Sequence, residues 1–294
     1  MTRWLITGAG GMLGRDLAEV LSVRGAGTVT ALTRQELDIT DAAAVRAAVA
    51  GHDVVVNAAA WTDVDGAEAE EAAATRINGE GPRVLAEVCA DSAAVLIQVS
   101  TDYVFPGNAA EPYPHDAPAS PVNAYGRGKL VGERAVTELL PERGYVVRTA
   151  WLYGAHGRNF VATMLNLAGR RETVDVVDDQ RGQPTWTVAL ARQIAELGEA
   201  AMAGGAPAGV YHGTASGTGT WFDLARAAFE LTGLDPERVR PTTSEKFVRP
   251  APRPAYSVLA HDRWAEAGVA VQPHWRDQLS EALKVIVPGG RTSA

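Results

Sequence analysis

The chain reads as an α/β protein: a doubly wound parallel sheet with a smaller, interleaved C-terminal substrate lobe. Two observations predict it. Short, continuously apolar runs alternate with longer Ala-rich segments of helical period, and the Gly-rich turn Gly8-Ala9-Gly10-Gly11-Met12-Leu13-Gly14 follows directly on the first apolar run. A third feature is the change of rhythm after Thr149, where Gly and Pro become more frequent and strand-like runs fewer.

Taken in order, Trp4–Thr7 is the first strand, short and apolar on both faces as buried parallel strands are. Met12–Arg24 follows as a helix with Leu13, Leu17, Val20 and Leu21 on one face. Thr28–Leu32 is the second strand, read like the first as buried on both faces, and Asp41–Ala50 is a helix with Thr40 as its N-cap. Val54–Asn57 is the third strand, Ala67–Ala90 one long helix and Val95–Ser100 the fourth strand. Asn123–Leu140 is a second long helix, and Tyr145–Thr149 closes the series. Repeated β-α units connect by right-handed crossovers, which gives the doubly wound arrangement.

Beyond Thr149, Asp178–Pro184 and Arg249–Pro254 read as loops, while Thr187–Ala203 and Gly209–His212 are regular enough to rejoin the first domain. The expected division is residues 1–153 as a dinucleotide-binding domain, rejoined by about 184–214. A substrate-binding lobe takes about 154–183 and 215–287, and 288–294 form a flexible tail.

At 294 residues and 46% hydrophobic, the chain is long enough to bury a full core. One cysteine excludes an internal disulfide framework, and the six histidines show no metal-ligand spacing, so no metal site is expected. No charged-then-apolar leader or run of about 20 apolar residues is present, and the expectation is a cytoplasmic protein without a membrane partner. A net charge of −8 with dispersed arginines opposes nucleic-acid binding. A second copy of the chain, as a homodimer, is the protein partner this reading leaves room for.

Between a buried strand and a helix, Gly8, Gly11 and Gly14 divide three tasks: a tight turn, backbone approach to a phosphate, and close packing of helix on sheet. Met12 and Leu13 then open the helix whose N-terminus faces a pyrophosphate. At the end of the second strand stands Arg34, with no acid until Glu36, which favours NADPH over NADH. Asp38 and Ile39 are placed beside the adenine, and the small side chains of Ala58, Ala59 and Ala60 let a cofactor lie against the backbone.

Tyr125 and Lys129 stand one helical turn apart, so the ammonium is expected near the phenol and, through the cofactor ribose, lowers its pKa from about 10 toward the working range. Thr101, at the C-terminal end of a central strand where ligands of open α/β sheets gather, is expected to donate to a carbonyl oxygen. Asp102 and Tyr103 are next to touch substrate. Together these residues point to nicotinamide-dependent carbonyl chemistry.

These residues carry a resemblance. With Asn57–Ala60 followed by Trp61-Thr62-Asp63-Val64-Asp65, Ser100-Thr101-Asp102-Tyr103-Val104-Phe105-Pro106-Gly107, Arg148-Thr149-Ala150-Trp151-Leu152-Tyr153-Gly154 and Asp179-Gln180-Arg181-Gly182-Gln183-Pro184-Thr185, the chain resembles the extended short-chain dehydrogenase/reductases. Within them it is similar to the dTDP-4-dehydrorhamnose reductase family, along nearly its whole length. The resemblance implies a Rossmann fold and NAD(P)H-dependent reduction of the C4 ketone of a dTDP-6-deoxy-4-ketohexose. The best-known member makes dTDP-L-rhamnose. By the same likeness Thr101, Tyr125 and Lys129 are catalytic, and Thr62, Asp102, Trp151, Pro184 and Thr185 face the substrate. The chain departs from the pattern at Gln183, where an arginine is expected; Arg181 or Arg253 is left to supply that cation. Alternatives are reduction of another dTDP-4-ketodeoxysugar, an epimerase or dehydratase on the same scaffold, and a non-catalytic NADP-binding regulatory subunit. Thr-Asp-Tyr at 101–103 argues against the dehydratase, and the intact Thr101, Tyr125 and Lys129 set against the subunit.

Overall fold

A computed structural model describes residues 1–287, and the tail expected beyond them lies outside the described residues. Six parallel strands form the central sheet: β1 (Arg3–Thr7), β2 (Thr28–Leu32), β3 (Val54–Asn57), β4 (Val95–Thr101), β5 (Gly144–Thr149) and β6 (Gly209–His212), in the order β6-β5-β4-β3-β1-β2. The helices of the N-terminal half are α1 (Met12–Arg24), α2 (Ala42–Val49), α3 (Val64–Ala69), α4 (Glu71–Thr75), α5 (Gly81–Ser92) and α6 (Ala124–Leu139). Those that follow are α7 (Phe160–Ala168), α8 (Thr187–Met202), α9 (Trp221–Leu231) and α10 (Trp275–Ile286).

The period of two along each strand sends alternate side chains into two cores. Trp4, Ile6, Val54, Val56 and Ile97 meet Leu17 and Leu21 of α1 and Leu190 and Ile194 of α8 on one face. Leu5, Val55, Leu96 and Val146 meet Val45, Leu85 and Val136 of α2, α5 and α6 on the other. Each such side chain, wholly buried, contributes about 1.5–3 kcal/mol. The C-terminal lobe has its own core of Tyr153, Val161, Leu224, Trp275 and Leu279, and Val174–Val177 pairs in parallel with Val239–Thr242. No helix among the described residues is long and apolar enough to cross a membrane.

Four sequence expectations need correction. The second strand is not buried on both faces: it is the sheet edge, and Thr28, Thr30 and Ala31 are exposed. The N-cap of α2 is Asp41, whose carboxylate accepts from the backbone N–H groups of Ala43 and Ala44, because Thr40 is engaged with Asp38 instead. The helix expected over 67–90 is broken into α3, α4, a π-helical turn (Arg76–Glu80) and α5. Extra residues in such a turn re-aim side chains. Here it turns Asn78 inward, where the amide accepts from Trp61 N–H at 2.9 Å and donates to Trp61 C=O at 3.0 Å. Asp178–Pro184 is not all loop either, since Arg181–Gly182 pairs antiparallel with Gly219–Thr220.

Candidate functional site

Gly8 sits at φ 71°, and a Cβ there would come 2.5 Å from the backbone nitrogen of Ala59. Only glycine lets the first turn run this close to the end of β3. Gly11 N–H donates to Gly8 C=O at 3.0 Å, and a Cβ at Gly14 would strike that same carbonyl. Gly11 is the N-cap of α1 and makes no side-chain cap, so the first-turn N–H groups of Met12 and Leu13 keep their donors and the positive end of the helix dipole outward. The cradle that a Cβ would fill, with donors and no acid in the first turn, fits a diphosphate. Half-buried Ala58, Ala59 and Ala60 border it. Beneath, Asn57 donates to Gln98 at 2.7 Å and Gln98 donates to Val99 C=O at 2.7 Å, a buried polar ladder joining the ends of β3 and β4.

At the end of β2 the first acid after Arg34 is occupied. Glu36 accepts from both the N–H and the hydroxyl of Thr33 at 2.8 Å, which holds its carboxyl below the usual range. Arg34 stays exposed beside it. Asp38 is taken up by Thr40, whose N–H and hydroxyl lower its pKa, with Arg76 and Arg34 adding to the effect. Ile39 is 4% exposed and packs into the core against Gly81. The structure therefore puts Ile39 under the loop and leaves Arg34 with Arg76, whose guanidinium donates to Thr40 at 3.1 Å, as the cations of this end. Arg76 was not foreseen because the π-turn that carries it is hidden in an Ala-rich stretch.

Thr101 ends β4 and caps the short turn Asp102–Val104, its hydroxyl accepting from Tyr103 N–H at 3.2 Å. Opposite, Asn123 caps α6 and presents Tyr125 and Lys129. Gly126, Gly128 and Gly132 line the helix face that meets Tyr103, Thr75 and Asn78; side chains there would collide with the Tyr103 and Asn78 carbonyls. This close seating sets the height of Tyr125 beside Thr101. α6 packs on the end of β4 and on the turn after it, which brings the Tyr125 phenol close enough to the Thr101 hydroxyl for the two to interact.

Burial raises the Tyr125 pKa above its ordinary value, the Asp102 charge raises it further, and Thr101 only partly opposes them. Lys129 is 3% exposed and donates to Val99 C=O at 2.6 Å, so its ammonium is directed to the sheet and not to the phenol. Burial pulls its pKa down to about 8, with Glu133 acting the other way. Asp102 is 2% exposed, and burial pushes it up to about 7 despite the Ser257 and Thr101 hydroxyls, while its Oδ2 has no partner in hydrogen-bond geometry. Tyr103 meets the Tyr125 ring edge-on at 6.1 Å.

On the lobe side, Trp151 adopts φ 48°, a rare conformation for a bulky residue, and stacks on Trp221 at 3.8 Å. Trp221 in turn donates to Gln180 at 3.1 Å. Arg253 lies 6.0 Å over the Tyr103 ring and pairs with Asp65 at 3.0 Å, strapping the 249–254 loop across to α3. Thr62 and Arg181 are exposed. Pro184 and Thr185 are buried, and the Thr185 hydroxyl is committed to Gln183 C=O and Ala215 N–H. Gln183, the departure from pattern, is 2% exposed and bonds Leu259 through both ends of its amide and Thr214 through its oxygen. An arginine would find no acid in those partners. Sequence reasoning passed over Ser257, Asp65 and Trp221; the clue to Ser257 was a small hydroxyl residue between the Arg253-Pro254 loop and the apolar Val258-Leu259. It also passed over Asp16, Glu19 and His156, whose potential ligand atoms lie within 4.8 Å of one another.

Residues 2–287 match the RmlD substrate binding domain family. The chain is 58% identical to a dTDP-4-dehydrorhamnose reductase of Streptomyces griseus, with 98% of each chain covered. It is 53% identical to a dTDP-4-keto-6-deoxy-D-glucose reductase of Streptomyces niveus, covering 97% of each. Among solved structures it is similar to the dTDP-4-dehydrorhamnose reductase of Bacillus anthracis in complex with NADP, with a TM-score of 0.90 and 35% identity over 96% of this chain and 99% of that one.

Proposed function

The chain belongs to the RmlD substrate binding domain family, and from that premise we propose that it reduces the C4 ketone of a dTDP-6-deoxy-4-ketohexose with NADPH, converting dTDP-4-dehydro-L-rhamnose to dTDP-L-rhamnose. The observation that carries this reading is the approach of Thr101 and Tyr125, with Lys129 on the same helix, at the C-terminal end of the parallel sheet, the end from which the Gly8–Gly14 cradle also leaves β1. Residues 1–153 with about 184–214 would hold the dinucleotide, and about 154–183 with 215–287 the sugar nucleotide.

Bound in the cradle, NADPH supplies the hydride. The chain supplies the rest. Thr101 donates a hydrogen bond to the C4 oxygen as charge grows on it, and the Tyr125 hydroxyl delivers the proton. A buried phenol holds its proton until a stronger base forms next to it, and the developing alkoxide is such a base. Lys129, fixed on Val99, provides positive charge on the same side. Trp151, Thr62 and the cations Arg181 and Arg253 face the sugar nucleotide.

Purified protein is expected to oxidise NADPH when given dTDP-4-dehydro-L-rhamnose, with dTDP-L-rhamnose identified by NMR. The Streptomyces niveus relative supports a second sugar, dTDP-4-keto-6-deoxy-D-glucose, as the competing substrate. The ratio of the two kcat/KM values decides between them. No NADPH oxidation with either sugar would remove the reductase reading.

Arg34→Ala tests the choice of dinucleotide. Loss of one charged hydrogen bond to a 2′-phosphate costs about 1.5–3 kcal/mol, or roughly 10- to 100-fold in affinity. The KM for NADPH should rise by about tenfold or more, while NADH, which has no such phosphate, is unaffected. Equal weakening of both would show that Arg34 does not select the cofactor.

A further inference from the structure

Thr101 has one hydroxyl proton and two lone pairs, and its neighbours make competing claims on them. Tyr103 N–H takes one lone pair at 3.2 Å. Asp102 Oδ1 lies 3.0 Å from the same oxygen. An ionised carboxylate only accepts, so it would draw the Thr101 proton to itself and leave nothing for an oxygen at the reaction centre. A protonated Asp102 reverses the bond, donating to the second lone pair and freeing the Thr101 proton to point the other way, toward Tyr125 and the reacting oxygen.

The surroundings favour the neutral acid. No lysine or arginine is among the groups that act on Asp102. The groups that face it are Thr101 and Tyr103 of its own turn, Tyr125 from α6, and Ser257 from the chain that follows the 249–254 loop. Arg253 stands beyond the Tyr103 ring and is paired with Asp65. Lys129 is engaged with Val99. Asp102 Oδ2, buried and unpartnered, would be costly as a charge.

We infer that Asp102 is a positioning residue whose protonated form turns the Thr101 hydroxyl toward the reacting oxygen, so that its ionisation switches reduction off at alkaline pH. The inference rests on the reductase reading above. Asp102 gives up no proton in the step itself; Tyr125 supplies that. Because burial pushes Asp102 up to about 7, the switch falls within the pH range in which the protein can be assayed.

The test is the pH dependence of kcat/KM for the ketosugar, at saturating NADPH, for the wild type, Asp102→Asn and Ser257→Ala. In the wild type kcat/KM should fall from about pH 7 as Asp102 ionises, and more steeply from about pH 8 as Lys129 loses its proton. In Asp102→Asn the amide donates to Thr101 at every pH, so the first fall disappears and the second remains. Ser257→Ala removes a hydroxyl that favours ionised Asp102, and should move the first fall upward by about 0.5–1 pH unit.

Superimposable profiles for wild type and Asp102→Asn would overturn the inference. So would a folded, NADPH-binding Asp102→Asn that is inactive at every pH, or a first fall that stays put or moves downward in Ser257→Ala. If Asp102→Asn does not fold, the Ser257→Ala shift still decides. A wild type that reduces no dTDP-4-keto sugar would instead defeat the parent reading.

Discussion

Tyr125→Phe is expected to lower kcat by about 10²–10⁴-fold, the usual contribution of a positioned general acid, while NADPH binding is retained. The substitution removes one oxygen and keeps the ring. The edge-on contact with Tyr103 and the seating of α6 on its glycine face are preserved, so the loss reports proton delivery and not folding. Thr101 still donates to the substrate oxygen, which limits any change in KM; an effect confined to kcat marks an interaction made in the transition state. NADPH oxidation and a separate cofactor titration measure the two halves. A loss of less than about tenfold in kcat would mean that another group or water supplies the proton.

A second large effect is expected on stability. Glu133→Gln breaks a buried ion pair in which Arg148 donates through Nε at 3.0 Å and through a terminal nitrogen at 2.7 Å, with side chains only 4% and 6% exposed. The guanidinium also lies 4.9 Å over the Phe105 ring, donates to His115 C=O at 3.1 Å and approaches His212 Nε2 at 3.4 Å. Burial, with Arg148 adding to it, holds the His212 pKa well below its ordinary value, so the neutral ring can accept but cannot neutralise the arginine. Leaving that charge uncompensated should cost about 3–5 kcal/mol, read as a lower midpoint in urea at unchanged slope. The double variant Glu133→Leu with Arg148→Met should recover most of the loss, since no charge is then stranded. A single-variant loss below about 1 kcal/mol would show that water relieves the arginine.

The central strands were readable to within a residue because continuous apolar runs of that length suit only a sheet covered on both faces, and β1, β3, β4 and β5 are so covered. The same rule misjudged β2, since Thr28–Leu32 has the composition of a buried strand but no neighbour on one side. Alanine concealed the break after α3: it suits α and π turns alike, and only the fit of Asn78 to Trp61 and of Gly132 to its neighbour decides which forms. Gly8 and Gly14 were legible because their demand is steric and local. Thr101, Tyr125 and Lys129 could be named from a strand end and a helical spacing, but the direction of the ammonium depends on Val99, which spacing does not reveal. The strap of Asp65 to Ala251 joins positions 186 residues apart, and Ser257 reaches Asp102 from the same distant segment. Contacts of that kind are decided by how the lobe closes on the sheet.

The position of β6 bears on how the chain is made. Every residue of β5 is buried in the finished protein, yet the strand that covers its outer edge is Gly209–His212, delivered only after α7 and α8 have been laid down. At about 5–20 residues per second, the interval between Thr149 and Gly209 leaves a ribosome-tethered sheet with an open, apolar margin for several seconds. An unpaired margin is where chains join their neighbours. Translation of this messenger therefore has a vulnerable window, which opens with the fifth strand and closes when the sixth has emerged and paired with it.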